Sequence, residues 1–123
     1  MIAHILLFRP LRGMSIEDRD ALIAAFERAL TAIPLIRRAQ VGRRQQLERP
    51  YENVTREDYP FIAMLEFDNA TDLGAYLDHP AHAALAERFF QSIEAALVYD
   101  FEMIDSSRVR EALVVTGLAN SSA

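Results

Sequence analysis

FIAMLEFDNATDLGAYLDHPAH, residues 61–82, changes its structural period part-way. In FIAMLEFD, Phe61, Ala63, Leu65 and Phe67 fall on one side of an extended chain, with Ile62, Met64 and Glu66 on the other. Apolar side chains on both faces at a period of two predict a buried strand. Asn69, with Asp72 three residues on, then offers an N-cap for a short helix through Leu77. Pro80 suits the first position of a second helix, where its missing N–H costs nothing. One stretch therefore holds a strand and a helix pair, and the rest of the fold is read outward from it.

Upstream, residues 2–9 repeat the strand pattern, with Ile2, His4, Leu6 and Phe8 on one face and Ala3, Ile5 and Leu7 on the other. Gly13 breaks that run, and Ser15 caps toward Asp18. Ile16, Leu22, Ile23, Phe26, Leu30 and Ile33 then recur at helical spacing until Pro34. Residues 35–45 predict a shorter strand. RQQLERPYENVTREDYP, residues 44–60, is charged, holds two prolines and has no period, so it predicts a long, mobile connection. Downstream, Leu85, Phe89, Ile93 and Leu97 are spaced by four and predict the buried stripe of the helix that Pro80 begins. LVYDFEMI, residues 97–104, predicts a last strand with Leu97, Tyr99, Phe101 and Met103 opposite Asp100 and Glu102.

The order of strand, helix, strand, strand, helix pair and strand is the ferredoxin-like split βαβ arrangement, an α+β fold with a four-stranded antiparallel sheet. In that topology the first and third strands are central and helices cover one sheet face. Ala3, Ile5, Leu7, Ile62 and Met64 then lie on the uncovered face, and an exposed apolar face of that size predicts a homodimer packed sheet against sheet. Residues 104–123 read as a C-terminal extension, a short helix followed by a frayed end that lies over the partner.

Composition narrows the chemistry. With 123 residues, 51% of them hydrophobic, the chain suffices for one core and one domain. Its 13 basic and 18 acidic residues are dispersed, for a net charge of −5, which argues against a nucleic-acid or anionic-membrane partner. Cysteine is absent, removing thiol nucleophiles, disulfides, thiolate zinc and iron–sulfur clusters. Lysine is absent too, which removes Schiff-base catalysis and a P-loop lysine. The opening MIAHILLFRP is broken by His4 and Arg9, so it predicts neither a signal peptide nor a membrane span, but a soluble, cytoplasmic protein.

What remains is hydroxyl, carboxylate and imidazole chemistry, and YLDHPAH, Tyr76 to His82, concentrates it. His82 falls in the first turn of a helix, whose positive end disfavours imidazolium and keeps a general base neutral. Tyr76, one turn before the break, is a candidate donor to an oxygen gaining negative charge. The structural alternative is that His79 caps a helix, Tyr76 is a core residue and His82 bonds a backbone carbonyl; for His79 the cap is preferred. His4, between apolar strand neighbours, is either a satisfied core histidine or a polar group in an apolar pocket beneath Leu22, Ile23 and Phe26. His4, His79 and His82 lack a metal-ligand pattern, so no metal is expected.

On IAHILLF, FIAMLEFD, YLDHPAH and LVYDFE, the chain resembles the stress-responsive A/B barrel (Dabb) family over about residues 1–103. The resemblance implies a dimeric α/β barrel. It extends distantly to the plant olivetolic acid cyclase, which closes a poly-β-ketone by aldol condensation. That likeness implies Tyr76 and His82 as the catalytic pair, His4 in the pocket, and Leu6, Phe8, Leu22, Ile23, Phe26, Ala63 and Leu65 as substrate-binding lining, with no metal or organic cofactor. Phe61 stands where the cyclase has a histidine, and the connection before it is longer and more charged. The expectation is a small, largely apolar carbonyl ligand. The alternatives are a cofactor-free cyclase or isomerase and a stress-protective dimer module.

Overall fold

The computed structural model describes residues 1–115. β1 (Ile2–Pro10) leads through a turn at Gly13, whose φ of 78° suits a residue without Cβ, into α1 (Ile16–Ala32). β2 (Arg38–Arg43), a 3₁₀ turn at Pro50–Val54 and β3 (Phe61–Phe67) follow. The chain continues with α2 (Ala70–Leu77), α3 (Pro80–Ser92) and β4 (Ile93–Glu102), and ends with α4 (Val109–Val115). The sheet order is β2-β3-β1-β4, with every pair antiparallel and the first and third strands central. This is the ferredoxin-like α+β arrangement.

Two of the three predicted helix starts are capped by a polar side chain three residues before the N–H it accepts from. The Ser15 hydroxyl accepts from the Asp18 N–H, and the Asn69 side chain accepts from the Asp72 N–H. Each satisfies one N–H that the first helical turn leaves without a partner. Register fixes the two sheet faces. Ile2, His4, Leu6 and Phe8 stand opposite Phe67, Leu65, Ala63 and Phe61, on the side facing the helices. Phe67, Leu65 and Ile33 are the largest fully buried side chains there, joined by Ala25, Ala29, Leu73, Tyr76 and Leu85.

Three readings are corrected. α3 ends at Ser92, so Ile93 and Leu97 belong to β4 rather than to a helical stripe. The ladder with β1, running from Ile2↔Glu102 to Pro10↔Ile93, takes those residues once the Leu11 N–H has bonded the Ser92 carbonyl. On α1 the buried line is Ala25, Ala29 and Ile33, with Leu22 and Phe26 beside it. Ile16 and Ile23, at 67% and 47% exposure, turn outward, so Ile23 lines no pocket beneath the helix. Alanines win the close position because they let α1 approach α3, the element it packs against most closely. On the open face, Ala3 is 1% exposed, its short side chain lying between Glu66 and Phe101 in the neighbouring strands, so it offers no surface of its own.

Ile5, Leu7, Ile62 and Met64 do share the open face, and β4 adds exposed Leu97, Tyr99 and Phe101. The connection 44–60 is tied at its stem. The Arg44 N–H donates to the Pro60 carbonyl and its guanidinium to Asp58, while Arg9 donates to the Asp58 carbonyl and to Glu94. A short helix forms in the extension at α4; the frayed end expected after it lies outside the described residues.

Candidate functional site

The junction of α2 and α3 is built by proline and histidine together. Pro80 keeps the preceding residue extended, and His79 sits at φ −73°, ψ 140°. Its imidazole Nδ1 accepts from the Ala81 N–H at 3.0 Å, and its carbonyl accepts from the His82 and Ala83 N–H groups. His79 is therefore the N-cap of α3, spent on structure. His82 follows inside the first turn, half-buried, and points at Tyr76 on the end of α2.

Tyr76 organises the cluster. It is 2% exposed, and its ring lies 4.7 Å from His82, 5.1 Å from Phe67 and 5.9 Å from His4, centroid to centroid. Edge-on contacts with both imidazoles place the phenol between them. Burial pushes its ionisation up to about 12, so the hydroxyl stays a proton-bearing donor at neutral pH. The His82 imidazolium is disfavoured first by burial and then by the neighbouring His4; a hydrogen bond to the Leu77 backbone acts against both. The balance holds its pKa below the usual histidine value, leaving a neutral imidazole beside a protonated phenol.

His4 is held from the other side. Its Nδ1 lies 2.5 Å from an Asp100 carboxylate oxygen, across the β1–β4 pair in which the two residues stand directly opposite. A carboxylate only accepts, so Nδ1 carries the proton shared with Asp100. Asp100 was not among the residues singled out from the sequence. Its signal is the strand register, which becomes legible only once β4 is known to begin at Ile93.

The profile of the Stress responsive A/B Barrel Domain matches residues 2–103. The chain belongs to the stress-responsive A/B barrel family. Among solved structures it is similar to a protein of Arabidopsis thaliana, at 24% identity over 85% of this chain and 97% of the other, with a TM-score of 0.70. It is also similar to a dimeric protein of ferredoxin-like fold from Bacteroides fragilis, at 26% identity, 83% and 95% coverage and a TM-score of 0.58. A hydroxynitrile lyase from Passiflora edulis aligns at 17% identity over 85% and 94%, with a TM-score of 0.70. No curated protein matches.

Within this A/B barrel domain, the residues expected to line a pocket divide. Ala63 and Leu65 are in the buried core, Leu6, Phe8, Leu22 and Phe26 pack against it, and Ile23 faces outward. Tyr76, His82 and His4 come together at its edge. A separate groove of about 380 Å³ runs between α1 and α3 over Ala21, Ala24, Ala25 and Ala84, and contains none of these side chains. Among the described residues, no group of three or more histidine, aspartate or glutamate side chains is placed to hold a metal ion. None of the described helices is long and apolar enough to cross a membrane.

Proposed function

We propose that this A/B barrel protein works in the cytoplasm as a homodimer and binds a small, largely apolar carbonyl compound at Tyr76 and His82. The carrying observation is the 4.7 Å contact between a phenol that stays protonated and an imidazole that stays neutral. Such a pair offers the carbonyl oxygen one strong donor, and partly buried Leu6, beside His4 on the same strand face, supplies apolar contact. The dimer reading rests on the apolar open face of the sheet and on the dimeric relative from Bacteroides fragilis.

A second reading is catalytic and is favoured by the same pair with His4 and Asp100. His82 removes a proton adjacent to the carbonyl, and Tyr76 donates to the oxygen as it becomes an enolate. The carbon so activated adds to a second carbonyl in a cyclase, or regains its proton elsewhere in an isomerase. Addition and its reversal are related chemistry, and a lyase of this fold stands among the structural relatives. Olivetolic acid cyclase-like ring closure is one form of it.

Calorimetry with a medium-chain 2-alkanone tests the binding reading, and NMR-detected exchange of its α-protons with D₂O tests the catalytic one. The expected result is binding that Tyr76→Phe weakens about tenfold, as loss of a hydrogen bond to a carbonyl requires. Accelerated exchange that His82→Ala abolishes while binding persists establishes catalysis; binding without exchange leaves a carrier. No binding in the folded wild type overturns the site and leaves the stress-protective dimer module.

A further inference from the structure

We infer that the 44–60 connection is an arm that clasps a second copy of this chain, burying Leu47, Tyr51 and Val54. The inference rests on the homodimer reading above and adds a contact outside the sheet.

The connection is built. Arg44 and Pro60 close its neck at 2.8 Å, and Arg44 reaches Asp58 at 2.6 Å. Arg9 of β1 fixes the Asp58 carbonyl at 2.8 Å. Inside the arm, the Glu52 carboxylate accepts from the Leu47 N–H at 2.6 Å and Glu48 takes a left-handed φ of 57°. A glutamate in that conformation persists where its surroundings over-determine it. All this order serves to present apolar side chains to water: Leu47, Tyr51 and Val54 are 61%, 62% and 78% exposed. Exposed Glu48, Arg49 and Arg56 alternate with them along the sequence. An apolar set carrying a tyrosine, flanked by charge, has the composition of a protein interface.

Position selects a second copy as the occupant. The arm leaves β2 and returns to β3, and Arg9, which follows Ile5 and Leu7 on the open face of β1, holds the arm's Asp58 carbonyl. A copy seated on the face meets the arm at its edge.

Sedimentation equilibrium on the full chain tests this with the double variant Tyr51→Ser/Val54→Asp, whose exposed sites leave the fold unchanged. The dimer Kd is expected to rise at least tenfold. An unchanged Kd, while Met64→Lys on the sheet face gives monomers, overturns the arm and leaves the dimer standing. Wild-type protein that is monomeric at every concentration overturns both. The chain has no cysteine, so Tyr51→Cys provides a single thiol. Its alkylation is expected to slow several-fold above the dimer Kd, and an equal rate above and below overturns the arm.

Discussion

The two faces of one sheet use the same strands and opposite strategies. Toward the helices, Ala63, Leu65 and Phe67 alternate into a layer supplied by the chain itself, and all are nearly or fully excluded from water. Toward the other side, Ile5, Leu7, Ile62 and Met64 are only partly covered, and Leu97, Tyr99 and Phe101 are 36–54% exposed. An ordinary half-buried sheet would place polar residues there. The difference teaches that this chain carries apolar surface for two layers and folds only one of them internally.

The contrast breaks most severely on the inner face. Phe67→Ala removes a side chain at 0% exposure and is expected to cost about 3–5 kcal/mol, read as a lowered denaturation midpoint by circular dichroism. On the outer face Met64→Lys should leave the monomer folded yet weaken self-association about 100-fold, near 3 kcal/mol by sedimentation. If Met64→Lys instead unfolds the monomer, the two faces are not independent.

Smaller changes sharpen the same division. Asn69→Ala removes the cap of α2 and is expected to cost about 1 kcal/mol, seen in thermal melts. Because α2 carries Tyr76, the 2-alkanone should bind more weakly as well. The smallest effect is a dependence on pH. His82 has a depressed folded-state pKa, so its stabilising share is complete above the ordinary histidine value and is lost as pH falls below it. Melting temperature should decline from pH 7 toward 5, with a shallower slope in His82→Gln. Tyr76 has the opposite sign: the raised value means its share is complete below pH 10 and lost between 10 and about 12, and Tyr76→Phe should flatten that limb.

Much of this was legible from local rules. Ser15, Asn69, His79 and Pro80 announced three helix starts, because capping depends on residues a few positions apart. The order of elements then gave the ferredoxin-like fold. Ile93 and Leu97 misled because a spacing of four continues through the end of α3, while the competing ladder with β1 lies more than eighty residues away in the chain. Ile23 misled for a related reason: both Leu22 and Ile23 fit the helical stripe, and alanines that carry little hydrophobic signal decide which one turns inward. Tyr76 and His82 were near neighbours in sequence and so were found together. Asp100 was invisible until strand register set it opposite His4.

One backbone hydrogen bond has a consequence beyond the monomer. The Met103 N–H donates to the Met1 carbonyl at 2.9 Å, bringing the two limits of the family-matched segment side by side. A polypeptide whose ends meet can be copied head to tail, or reopened at another loop, with only a short join. Two such units in one translated chain would convert a concentration-dependent association into an intramolecular one, and each half would then be free to diverge around its own tyrosine and histidine.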